Sequence, residues 1–156
     1  MNIEFVGLPS RQVAEIRTTM RDAYGLPVET HRAEVDGLPC RHCLASPPKG
    51  SDFLILAHRP FETQNAYTET GPIFLCADDC TAPPQSSDLP AFLQWPHYIV
   101  RGYTADERIA YGTGQVTPTT QIQDYAATVL ANPKIAFVDV RSAANNCYHC
   151  RIKRTP

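Results

Sequence analysis

Only two stretches of this 156-residue chain repeat apolar residues at the three- and four-residue spacing of a helix, and a long series of short apolar runs lies between them. The first stretch follows Pro9-Ser10 and sets Val13, Ile16, Met20 and Tyr24 on one side, until Gly25 and Pro27 break the pattern. The second has Thr117 as N-cap and Pro118 in its first turn. It carries Ile122, Tyr125, Ala126, Val129 and Leu130 on one face and stops at Asn132-Pro133. The runs 53–57, 73–76 and 98–103, bounded by Pro, Gly and Asp, read as strands, as do 3–7 at the start and 135–140 and 148–153 at the end. Residues 104–107 turn one strand back as a hairpin, and Gly112-Thr113-Gly114 reads as another hairpin turn.

Strands and helices in this order do not alternate as a parallel, doubly wound sheet requires, so the fold class is α+β. The expected architecture is one domain over 1–156. In it a largely antiparallel, curved sheet carries both helices on one face, because each helix has a single apolar stripe to bury. With 43% hydrophobic residues the chain has material for a core without disulfide or metal. Fourteen prolines against eight glycines make its loops stiff, and residues 77–90, rich in Asp, Pro, Ser and Thr, form a long connection of the kind that often carries function.

Fourteen Lys and Arg against sixteen Asp and Glu give a net charge of -2, which offers no general attraction to nucleic acid or to anionic lipid. The N-terminus lacks the basic start and apolar core of a secretory signal, and no run approaches a membrane span, so a cytoplasmic location is expected. There the six cysteines are thiols, metal ligands or redox groups rather than a disulfide framework.

Four separated segments share one further property. Pro39-Cys40-Arg41-His42-Cys43-Leu44, His58-Arg59-Pro60-Phe61, the run from Tyr67 to Phe74, and Val140-Arg141-Ser142-Ala143 with Asn146-Cys147-Tyr148 resemble, in order and spacing, the domain of unknown function 1203 family. The resemblance runs from about Pro39 to Arg154 and implies a small bacterial cytosolic domain with no established activity. Relative to the family pattern, Cys76 stands near the place of a histidine, and Cys150 falls outside it.

Three constellations bear chemistry. Cys40-x-x-Cys43 and Cys147-x-x-Cys150 have the spacing of paired zinc ligands. Strand alternation, however, points Cys147 and Cys150 to opposite faces, and neither pair has the glycine of a tight metal knuckle. No metal is therefore favoured; a zinc site, if present, draws on Cys40, Cys43, Cys147 and His149, with His42 as a further donor. Redox cycling at Cys40 and Cys43, helped by Arg41 and His42, is a second reading, opposed by Ser46-Pro47-Pro48, which cannot continue a helix behind the pair.

The third constellation is polar. His58 and Arg59 close one strand, Tyr67 and Glu69 precede the next, and Arg141 and Asn145 follow another. If these meet, Arg59, Tyr67, Glu69, Arg141 and Asn145 form a pocket in which the arginines hold a small anion. An enzyme would use Glu69 or His58 as acid or base, or Cys40 as nucleophile. The alternative is a Glu69–arginine ion pair that fastens two loops, or an interaction domain with a Cys/His zinc site. Trp95 reads as a packing anchor, and oligomeric state leaves no mark.

Overall fold

In the computed structural model, which describes residues 2–155, eight strands form two antiparallel sheets and two α-helices pack against them. The α+β class holds, with two sheets where one was expected. The larger has the order β1-β8-β7-β5-β6, built from Ile3–Val6, Tyr148–Arg154, Phe137–Ser142, His97–Tyr103 and Gln115–Pro118. The smaller is the meander β2-β3-β4, Glu29–Arg32, Asp52–His58 and Gly71–Cys76.

Each sheet has its own helix and core. α2 (Ile122–Leu130) lays Ile122, Ala126, Val129 and Leu130 on the larger sheet, against Tyr98, Val100, Val138, Val140, Cys150 and Ile152. α1 (Ser10–Thr19) buries Val13 and Ile16 against Leu54, Leu56, Ile73 and Leu75 of the smaller sheet. The division follows from burial: a helix with one apolar stripe covers one sheet face, and two stripes cover two.

The helix ends differ from the sequence reading. α1 stops at Thr19 because Met20 turns into the left-handed conformation with φ 49°, so Tyr24 lies beyond it and is exposed. Thr117 is no N-cap: it is fully buried in β6, paired with Tyr98, and a 3-10 turn at Thr119–Gln121 leads into α2. β2 was missed because all four of its residues are exposed, so it lacks apolar alternation; Glu29 and Arg32 protect its free edge with charge. Trp95, 65% exposed, is not a packing anchor.

A bulge joins the two sheets. Val140 pairs with Cys150 but Arg141 pairs with Tyr148, which leaves His149 as the extra residue and shifts the strand's phase. Cys150 and Ile152 therefore enter the larger core, while Tyr148 enters the smaller one.

Candidate metal centre and the polar seam beside it

Residues 39–45 dock on the free edge of β4. The Arg41 N–H donates to the Phe74 carbonyl (3.1 Å), and Cys40 forms a parallel bridge with Phe74. The loop closes on itself: the Cys40 N–H reaches the Ala45 carbonyl (2.9 Å) and the Leu44 N–H reaches the Cys40 carbonyl (3.1 Å). Leu44 makes this turn with φ 56°, so the absence of glycine did not prevent a knuckle; a leucine sits in the left-handed region instead, its side chain buried. Gly7 supports the loop from behind. A Cβ there would lie 2.5 Å from the His42 carbonyl oxygen and 2.8 Å from that of Arg41, so only glycine lets the β1–α1 turn approach so closely.

This placement brings Cys40 and Cys43 to Cys76, the last residue of β4, and to Cys80 one turn beyond it. The four sulfurs lie within 4.8 Å of one another, with Cys40–Cys80 at 3.9 Å and Cys43–Cys76 at 4.0 Å. A regular tetrahedron of thiolates about 2.3 Å from a zinc ion has edges of roughly 3.8 Å. The separations are far longer than a disulfide, and all six cysteines are free.

Donors surround the sulfurs. Cys40 Sγ accepts from the Cys76 N–H (3.3 Å), and Cys80 Sγ lies 3.2 Å from Arg17 Nη2 and 3.1 Å from His42 Nδ1. Thiol hydrogen bonds from Cys43 and Cys76 pull the Cys40 thiol far below its ordinary range, and the same bonds push Cys43 up to about 12 and Cys76 higher still. Burial lowers the pKa of His42, so its ring is neutral near pH 7. Its two ring nitrogens bridge Cys80 Sγ, 3.1 Å from Nδ1, and Ser10 Oγ, 2.9 Å from Nε2, one as donor and the other as acceptor. Arg41 is 3% exposed and is bonded to the carbonyls of Tyr148 (2.8 Å) and Pro39 (2.7 Å), with no carboxylate partner among the described residues. Burial depresses its pKa to about 10, and it keeps its charge beside the thiols.

The pairing expected from sequence is thus half corrected. Cys147 and His149 are not ligands in this cluster, and Cys150 is buried in the larger core. His149 stacks on Phe92 and bonds the Cys147 carbonyl through Nδ1 (3.0 Å). The overlooked partner was Cys76-x-x-x-Cys80, whose second cysteine falls in the segment read only as a long connection.

The polar residues converge only in part. Glu69 Oε2 pairs with Arg141 Nη2 at 2.7 Å and with Arg101 Nη2 at 3.2 Å; Arg101, on β5, had no motif to mark it. His58, Glu69, Arg141 and Asn145 line one cavity of about 290 Å³. Arg59 lies elsewhere, its Nε on the Phe61 carbonyl (3.2 Å), and Tyr67 packs against Tyr111 and under the Arg108 guanidinium. His58 is held neutral, pushed down to about 4 by burial and by the neighbouring arginines. Cys40, the other proposed reactive group, has no exposed surface and sits inside the thiol cluster.

No helix among the described residues is long and apolar enough to cross a membrane. Nothing among curated proteins and nothing among solved structures matches the chain. Residues 37–154, from just ahead of the cysteine loop to the end of β8, match the model of a family described as protein of unknown function (DUF1203), and the chain belongs to that family.

Proposed function

We propose that this protein is a zinc-holding α+β domain in which Cys40, Cys43, Cys76 and Cys80 bind one Zn²⁺ as thiolates. The single observation that carries this reading is four sulfurs, from two loops far apart in sequence, gathered within 4.8 Å. Thiolate softness and tetrahedral placement favour zinc, or iron in the same geometry, over oxygen-loving cations. Four protein ligands close the coordination shell, so the role is structural, with no open position for substrate. Charge supports it too. A zinc tetrathiolate carries a net charge of -2, and Arg17 and Arg41 are two cations next to it, the second otherwise lacking an anionic partner. Thiols kept in this state belong to a reducing compartment, which supports a cytoplasmic location.

Native mass spectrometry of protein purified without chelator tests this directly, followed by denaturation and thiol alkylation. The expected result is one zinc mass, lost on unfolding, with Cys40, Cys43, Cys76 and Cys80 protected in the native protein together with the core residue Cys150. Cys43→Ser and Cys80→Ser lose the metal; Cys147→Ser keeps it. A native mass equal to the bare chain, or metal retained by both of the first two variants, overturns the reading, and an iron mass reassigns the ion.

A further inference from the structure

A second site lies on the other side of the cysteine loop, at the seam between the sheets. A cavity of about 470 Å³ has apolar walls from Leu38, Pro72, Phe74, Trp95 and Ala144, with the buried Arg41 among its lining residues. It adjoins the 290 Å³ polar cavity, and the two share Pro72, Asn145 and Cys147. Apolar pockets of this size with a few fixed polar groups are the usual form of small-molecule sites.

The polar end is electrostatically incomplete. Arg141 is 5% exposed, and its Nη1 is the one buried side-chain nitrogen or oxygen among the described residues that bonds nothing. Its Nε is satisfied by Asn146, through both the backbone carbonyl (3.1 Å) and Oδ1 (2.9 Å), and its Nη2 by Glu69. Arg101 and Arg141 share that one carboxylate, and the nearby Asp139 is already paired with Arg151, so the three guanidiniums exceed the two carboxylates by one charge. A buried charged donor left without a partner is costly, and native proteins rarely keep one without a reason.

We propose that the double cavity binds a small organic monocarboxylate, its carboxylate completing the bonding of Arg141 and its apolar body lying against Phe74, Pro72 and Trp95. A monoanion offsets the one charge by which Arg101 and Arg141 exceed Glu69. Free inorganic anions would leave the larger, apolar cavity unfilled.

The test is calorimetric titration of the full chain as purified with benzoate, 2-naphthoate and octanoate, each beside its neutral amide. At least one acid is expected to bind about ten- to a hundred-fold more tightly than its amide, the usual value of a charge-assisted hydrogen bond to a buried guanidinium. Arg141→Gln removes that preference. Because Arg141 also fastens two loops, a second variant on exposed surface guards the result: Ala144→Trp fills the larger cavity and abolishes binding of acid and amide alike while the melting temperature stays unchanged. No binding of any acid at millimolar concentration, equal affinity for acid and amide, or undiminished binding to Ala144→Trp each overturns the proposal.

Discussion

The two sheets are stabilised in different ways. The larger one has five strands, a helix and a cluster that includes Tyr98, Val100, Ile122, Leu130, Val138, Val140 and Ile152, all fully buried. The smaller one has three strands, one of them exposed along its whole length, and a shorter list of buried residues that includes Cys40 and Cys76 themselves. A three-stranded sheet in which one strand buries nothing has a narrow core, and small cores leave little margin of stability. The comparison teaches that the cysteines sit where the apolar supply is smaller: the loop carrying Cys40 and Cys43 covers the edge of β4 and gathers the four sulfurs there.

If the four thiols hold zinc as proposed, removing the metal is expected to have the largest effect. Cross-linking the loop between Cys43 and Cys76 contributes roughly 4 kcal/mol by closure entropy alone. For a domain of this size that corresponds to a fall in Tm of roughly 8–16 °C on chelation. Hydrogen exchange then sharpens the comparison: amides of β3 and β4 lose protection on stripping, and those of β5 and β7 keep it. Uniform loss across both sheets would show that the two regions unfold as one.

Truncation of the two cores comes next. Leu75→Ala and Leu130→Ala each remove a fully buried side chain and cost about 2–5 kcal/mol in metal-loaded protein. In stripped protein the costs part company. Leu130→Ala retains its penalty, whereas that of Leu75→Ala shrinks, because its surroundings are already loosened; urea unfolding of the four samples decides this. Gly7→Ala has a smaller effect, about 1–3 kcal/mol, since its Cβ must push back the Arg41 and His42 carbonyls. It also weakens metal retention against a competing chelator, which a Gly102→Ala change, crowding Val129 and Ile135 in the larger core, leaves unaltered.

The same contrast explains what was legible in the residues. Apolar periodicity marked β3, β4, β5, β7 and β8, because their faces are buried, and both helices, because each has one stripe. It could not mark β2, which buries nothing, or the bulge at His149, which depends on pairing across the sheet. Cys40-x-x-Cys43 has the spacing of a ligand pair, but the donors expected to join it in any zinc site were Cys147 and His149, and no metal was favoured. Cys76 and Cys80 carry a different spacing and meet the first pair only because the loop at Cys40 and Arg41 docks on Phe74 of β4. In the polar seam, Glu69, Arg141 and His58 were singled out as strand-end groups, whereas Arg101 lies within β5 and enters only through the fold.

Each region also holds a buried imidazole, His58 at the end of β3 and His149 in β8, and these give the smallest effects. Burial, with nearby arginines, pushes His58 down to about 4 and His149 to about 3. Both are harder to protonate in the folded protein than in the unfolded chain, where histidine titrates near 6.5. The stability they contribute is therefore complete above about pH 6.5 and is lost as pH falls towards 4 for His58 and 3 for His149. Between pH 6 and pH 5 each adds up to one proton to the dependence, roughly 1.4 kcal/mol per pH unit. His58→Leu is expected to reduce the slope of unfolding free energy against pH in that interval by about one proton, and His149→Phe to do the same. Fluorescence from Trp95, the single tryptophan and a neighbour of the seam, follows both titrations. A slope unchanged by His58→Leu but reduced by His149→Phe would mean that the smaller sheet admits protons to His58 in the native state, and so that its core is the more open of the two.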